Sequence, residues 1–217
     1  MQLQIALDRI SRDEAVRIAA AVSPYADVVE VGTSLIKAYG MSIVTDIAIA
    51  AARTPVLADL KTADDAKTEF TMAYDAGALS ATVLGLAAPA TLDTCVQVAS
   101  ARGREVVVDL MELTPERRTA VAASVPQEVV LAAHVPKDAQ GGALTPAQLV
   151  GEWARGRRLA VAGGLGIADL PALAELERTL ELEWLRVIVG SSVTKAPDVR
   201  AAADQLSAVA DRVKESA

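Results

Sequence analysis

Cysteine and histidine are almost absent from this sequence: 217 residues contain one of each, Cys95 and His134. A lone thiol excludes an internal disulfide, and together the two offer no zinc cluster. Cys95 falls in an Ala/Val-rich helical stretch and reads as a small core residue. Aromatics are scarce too, at 3% against 52% hydrophobic residues. That balance disfavours an aromatic-rich β-sandwich and suits the Ala, Val, Leu and Ile core of a parallel α/β fold. There is no basic surplus: the net charge is -7, so the electrostatic footprint of a nucleic-acid binder is missing. No run approaches the roughly 18 apolar residues that cross a bilayer. Met1-Gln2-Leu3-Gln4 leads straight into a strand-like segment without signal-peptide character. The cytoplasm is the expected compartment, with neither nucleic acid nor membrane as partner.

What is present is rhythm. Short, nearly continuous apolar runs at Leu3–Leu7, Val28–Val31, Pro55–Asp59, Ser80–Leu84, Val106–Leu110, Val129–Ala133, Leu159–Ala162 and Val187–Gly190 read as strands buried on both faces. Helix-like stretches separate them. Ser11 followed by Glu14 has the form of a capping box, Pro115 and Pro146 suit first helical positions, and Gly77 and Gly103 suit helix stops. A last helix begins after Ala196-Pro197-Asp198 and runs to about Val213. The strand ends, Asp8, Glu30, Asp59, Leu84, Asp109, Ala133, Ala162 and Gly190, recur every 22 to 29 residues. Each interval holds one loop, one helix, one loop and one strand. Eight such units predict a single-domain (β/α)8 TIM barrel over residues 1–217; a doubly wound open sheet is the alternative, with no need of so even a spacing.

Barrel enzymes build their sites at the C-terminal strand ends. Here those ends carry Asp8, Glu30, Asp59 with Lys61 and Asp64, Asp109, His134, Gly163-Gly164 and Gly190-Ser191-Ser192. Charges inside apolar strands are costly unless paired or metal-bound, so their repetition points to one shared cavity. Glu30 and Asp59 are candidate oxygen ligands for Mg²⁺ or Mn²⁺. Two residues beyond Asp59, Lys61 points to the same side of an extended chain and suits an oxyanion, with Asp64 to orient it and keep it charged. The bland reading makes Asp8, Glu30 and Asp59 structural ion partners of Lys61. His134 is a proton-transfer candidate or a satisfied core histidine. The Gly163-Gly164 and Gly190-Ser191 loops follow strands seven and eight, where barrels commonly bind phosphate through backbone amides, although a glycine pair alone marks only a turn. Arg155-Gly-Arg157-Arg158 reads as a solvated loop, Glu175–Glu183 as an exposed acidic helix face, and Trp153 and Trp184 as packing between helices and barrel.

The segment Asp59-Leu-Lys61-Thr-Ala-Asp64 resembles the Asp-x-Lys-x-x-Asp signature of the orotidine 5′-phosphate decarboxylase suprafamily. Glu30, in Glu-Val-Gly-Thr, stands where orotidylate decarboxylases have a lysine. That exchange resembles the metal-dependent branch of 3-hexulose-6-phosphate synthases and 3-keto-L-gulonate-6-phosphate decarboxylases. Ala-Leu-Asp8, His134-x-x-x-Asp138-x-Gln140 and Ala-Gly163-Gly164 extend the likeness over the whole chain. The resemblance implies a carbon–carbon lyase acting on a ketose 6-phosphate through a 1,2-enediolate. It places a divalent cation on Glu30 and Asp59, has Asp8 and Asp64 organise substrate hydroxyls and Lys61, and gives proton transfer to His134. It also implies a homodimer with shared sites, the last aspartate of the signature reaching across the interface.

Within the branch, Asp109, Ala162 and the segment ending in Lys37 are synthase-like, Asp109 standing among the substrate-binding positions. Lys137, where decarboxylases carry arginine to position a protonating water, leans the other way. Ser191 matches neither pattern: decarboxylases often place a phosphate-binding arginine there, and synthases a glycine. The reading favours formaldehyde addition to ribulose 5-phosphate, with decarboxylation of 3-keto-L-gulonate 6-phosphate as runner-up. A non-catalytic phosphate-binding barrel is the alternative from another class.

Overall fold

A computed structural model describes residues 1–141 and 145–215. Among them, eight parallel strands close in sequence order into a barrel: β1 (Gln2–Leu7), β2 (Val28–Val31), β3 (Val56–Thr62), β4 (Ser80–Leu84), β5 (Glu105–Asp109), β6 (Val130–His134), β7 (Arg158–Ala162) and β8 (Trp184–Val189). The helices are α1 (Arg12–Val22), α2 (Thr33–Tyr39), α3 (Ser42–Ala50), α4 (Ala66–Asp75), α5 (Pro89–Arg102), α6 (Pro115–Ser124), α7 (Leu170–Thr179), α8 (Ser191–Thr194) and α9 (Val199–Glu215). The TIM barrel expected from the spacing is the fold. No helix among the described residues is long and apolar enough to cross a membrane.

Local chemistry starts and stops the helices as anticipated. The Ser11 hydroxyl accepts the Glu14 amide at 3.3 Å, and Thr114 accepts that of Arg117 at 3.2 Å ahead of Pro115. Gly103 ends α5 in the left-handed conformation at φ 60°. Two units depart from the regular pattern. Thr145-Pro146 opens only a short 3₁₀ turn, Pro146–Leu149, so no α-helix joins β6 to β7 among the described residues. Between β2 and β3 there are two helices, because Gly40 at φ 67° breaks the run after Tyr39.

Each strand buries both faces. Outward residues such as Ile5, Val29, Val108, Leu131 and Val187 join the helices in one large apolar cluster. Inside the barrel, a smaller cluster of Val28, Leu57, Val107, Val130, Ala132 and Ala160 forms a waist. The interior is polar at both ends of that waist, and the two ends differ. At the N-terminal end, the guanidinium of Arg186 meets Glu105 at 2.9 Å and Gln2 at 3.0 Å, while its carbon lies 4.6 Å from the centre of the Trp184 ring. Ser80 adds a bond to Glu105 at 2.6 Å. Trp184 therefore plugs the barrel bottom from inside rather than packing between helices and barrel, because β8 begins three residues earlier than the apolar run suggests. Trp153 and the buried Cys95 do pack into the outer cluster.

Arg157 is a second correction. It is buried, with its guanidinium donating to the carbonyls of Ala122 at 2.5 Å and Pro126 at 2.7 Å, so the arginine run is not a solvated loop throughout.

Breaking a buried ion pair leaves one charge without compensation. Arg186→Ala is expected to cost about 3 kcal/mol of stability, read as a fall in the denaturation midpoint. Turnover per folded molecule should stay unchanged, since the plug lies at the opposite end of the barrel from the strand-end carboxylates.

Candidate active site

At the C-terminal end the interior opens into a cavity of about 420 Å³. Asp8, Glu30, Asp59, Lys61, Asp109, His134, Lys137, Gly163, Gly164, Gly190 and Ser191 all line it. Asp64 does not: it is exposed on the loop after β3, and within one chain it gives Lys61 no bond. Lys61 instead lies between two other carboxylates, with Nζ 3.1 Å from Asp59 and 2.9 Å from Asp109. Burial opposes its charge, yet the carboxylates of Asp59 and Asp109 outweigh it and push the ammonium pKa up. Lys61 is thus a permanent cation rather than a base.

Asp109 is the hub. Despite burial, which works the other way, the bonds and charges of His134 and Lys61 hold its pKa down at about 2. One oxygen accepts Lys61 and also His134 Nδ1 at 2.9 Å, while the other accepts the Met111 amide at 3.0 Å. An ionised Asp109 can only accept, so Nδ1 of His134 carries a proton and Nε2 remains for proton transfer. Asp109, expected among the substrate-binding positions, lines the cavity and also organises Lys61 and His134 through its own oxygens.

Glu30 and Asp59 are buried side by side, 7% and 6% exposed. Burial first, and the charge of Asp59 second, push Glu30 up to about 8, against a 2.5 Å bond from Gln4 Nε2 that favours the ionised form. Asp59 is held from both sides, by Thr33 Oγ1 at 2.6 Å and Thr82 Oγ1 at 2.8 Å. Asp8 accepts Ser34 Oγ at 2.7 Å and lies directly over Gly32, where an added Cβ would meet its carboxylate at 2.2–2.4 Å. Gly32 has an ordinary extended backbone, φ -65° and ψ 154°, so space for Asp8, not conformation, demands glycine there. Gly163 is required on both counts: its φ is 125°, and a Cβ would stand 2.8 Å from that of Val135. Lys137 Nζ bonds Gln140 Oε1 at 3.1 Å, beside Gly164.

Gln4, Thr33, Ser34 and Thr82 were not singled out from sequence. A signal for two of them exists in the strand period: Gln4 shares the parity of Asp8, and Thr82 interrupts an apolar run. Thr33 and Ser34 merely follow Glu30-Val-Gly32, and nothing in their spacing separates them from ordinary capping residues.

Comparison with known proteins agrees with this fold. The model of the orotidine 5′-phosphate decarboxylase / HUMPS family matches residues 1–206. The chain belongs to that family. Among curated family members, it is 35% identical over 211 residues to a 3-hexulose-6-phosphate synthase of Mycobacterium gastri, covering 96% of this chain and 99% of the relative. A crystal structure of a 3-hexulose-6-phosphate synthase from Salmonella typhimurium superposes with a TM-score of 0.85 at 30% identity, over 98% of this chain and 100% of that one. A 3-keto-L-gulonate-6-phosphate decarboxylase from Vibrio cholerae gives 0.80 at 26%, each chain covered to 98%.

Proposed function

We propose that this barrel is a 3-hexulose-6-phosphate synthase, joining formaldehyde to ribulose 5-phosphate. What carries the reading is the Asp59–Lys61–Asp109–His134 chain beside Glu30, together with the synthase relative at 35% identity. The donor set fits a divalent cation of the Mg²⁺ or Mn²⁺ kind. Glu30 and Asp59 are buried together, and burial first, with the charge of Asp59 second, disfavours an ionised Glu30 unless a cation offsets both. Among the described residues no group of three or more His, Cys, Asp or Glu is arranged to hold a metal. An ion of this kind keeps several waters and takes only one or two protein carboxylates. Glu30 and Asp59 would hold it, and when bound it would polarise the sugar carbonyl as a Lewis acid.

The protein's own groups do the rest. The ammonium of Lys61, fixed by two carboxylates, stabilises the oxygen of the 1,2-enediolate that forms when the carbon beside the carbonyl loses its proton. His134 Nε2 handles that proton, with Asp109 holding the ring by Nδ1. Asp8, locked by Ser34, accepts a substrate hydroxyl. Amides of the Gly163-Gly164 and Gly190-Ser191 loops take the phosphate. Asp64, exposed outside its own cavity, fits the shared site of a homodimer, contributed to the neighbouring protomer.

Formaldehyde-dependent consumption of ribulose 5-phosphate should be abolished by EDTA and restored by Mg²⁺. Metal-independent turnover would overturn the mechanism. Lys137 on the cavity wall supports the runner-up, so carbon dioxide release from 3-keto-L-gulonate 6-phosphate belongs in the same assay. A decarboxylation rate above the aldol rate would reverse the assignment. Binding of either sugar phosphate without turnover would favour the non-catalytic barrel.

A further inference from the structure

The carboxylate Asp59 and the cation Lys61 do not share a side of the barrel through plain strand alternation. Lys61 has a left-handed backbone, φ 51°, and the β3–β4 register jumps from Ala58↔Ala81 to Thr62↔Val83. Three residues of β3, Asp59-Leu60-Lys61, thus stand against one of β4, Thr82. Such a bulge deprives the longer strand of ladder partners and re-aims its side chains. Thr82 answers both needs with one hydroxyl. Its Oγ1 accepts the Lys61 backbone amide at 2.8 Å and donates to Asp59 Oδ1 at 2.8 Å. A hydroxyl has a single proton, so accepting from the amide leaves that proton aimed at the carboxylate. Thr82 is buried, 6% exposed.

A similar device recurs just after β1. Arg9, also left-handed at φ 54°, donates its amide to Ser34 Oγ at 2.9 Å, and Ser34 donates to Asp8 at 2.7 Å. In both places a hydroxyl from a neighbouring segment ties a left-handed backbone to a site carboxylate.

The geometry points to Thr82 as a positioning residue that fixes Asp59 and Lys61 relative to each other, and thereby sets the affinity for a divalent cation and the rate of turnover. This rests on the reading of Asp59 as a cation ligand. Partners that orient metal-binding carboxylates are typically worth about 10–100-fold in affinity or activity. Thr82→Val keeps the branched shape and removes the hydroxyl, while Thr82→Ser keeps the hydroxyl.

Mn²⁺ affinity, measured from the paramagnetic resonance of free Mn²⁺, should weaken about tenfold or more in T82V, with kcat falling over a similar range. T82S should stay within about threefold of the parent on both readings, a bound set by the smaller side chain keeping its bonds. On a D59N background, T82V should cost little further Mn²⁺ affinity. If T82V fails to fold, T82A carries the same test. A lowered melting temperature with unchanged Mn²⁺ affinity and kcat would make Thr82 merely structural and overturn the inference, as would a T82S variant as impaired as T82V. If the unsubstituted protein binds no Mn²⁺, the cation reading itself fails, an outcome distinct from either.

Discussion

Lys61→Ala should lower kcat for formaldehyde addition to ribulose 5-phosphate by about 10³, the scale on which an electrostatic stabiliser of a developing oxyanion acts. The expectation comes from what surrounds the ammonium. Its Nζ lies 3.1 Å from Asp59 and 2.9 Å from Asp109, and Asp109 in turn holds His134. Removing it takes the only lysine charge from that chain and leaves two buried carboxylates facing each other. Mn²⁺ binding should survive or tighten, because Asp59 loses a competing cation. That split separates Lys61 from the metal ligands. Lys61→Arg should be nearly as impaired: a planar fork does not fit the point between two carboxylates that a compact ammonium fills. A K61A enzyme within tenfold of the parent in kcat would remove Lys61 from the chemistry.

The fold was readable because strand alternation, apolar runs and turn residues repeat with one period through the chain, and eight near-equal intervals leave few other closures. The charged residues of the site were readable for a related reason: Asp8 directly follows an apolar run, and Glu30, Asp59 and Asp109 are anomalies inside apolar strands, where burial makes anomalies expensive. What stayed hidden lies in neutral groups and in backbone detail. Gln4 and Thr82 cost little in a strand, so their presence carries small surprise, yet one bonds Glu30 and the other Asp59. The left-handed turn at Lys61 was hidden as well. Simple alternation places Asp59 and Lys61 on one side, a correct result reached by a different physical route, since a bulge and not an even pleat brings them together. Trp184 and Arg157 were misplaced for a third reason. Their surroundings depend on Glu105, Ala122 and Pro126, far away in sequence and near only once the barrel closes.

Glu30 supplies the other large effect, and its sign depends on what is measured. In the cation-free protein, burial and the charge of Asp59 put its pKa at about 8, above the ordinary 4.5. The folded state therefore keeps a proton that the unfolded chain has already released between those pH values. The stability tied to that proton is complete below pH 4.5 and is lost as pH rises through about 8. Replacing the carboxylate by an amide of the same shape removes this loss. Cation-free E30Q should melt higher than the parent at about pH 9, where the parent carries the full repulsion, and the two should converge toward pH 4.5. Binding shows the opposite sign. Mn²⁺ must displace the Glu30 proton, so the parent's affinity should rise by up to about tenfold per pH unit until near pH 8, whereas E30Q should bind weakly with a flat profile. Turnover in E30Q should fall by more than about 10², beyond the range typical of residues that only orient a ligand. A variant more stable and less active than its parent identifies a carboxylate kept for its ligand and not for the fold. Equal melting curves at high pH, together with unchanged Mn²⁺ affinity, would show that Glu30 and Asp59 do not act on a common ion.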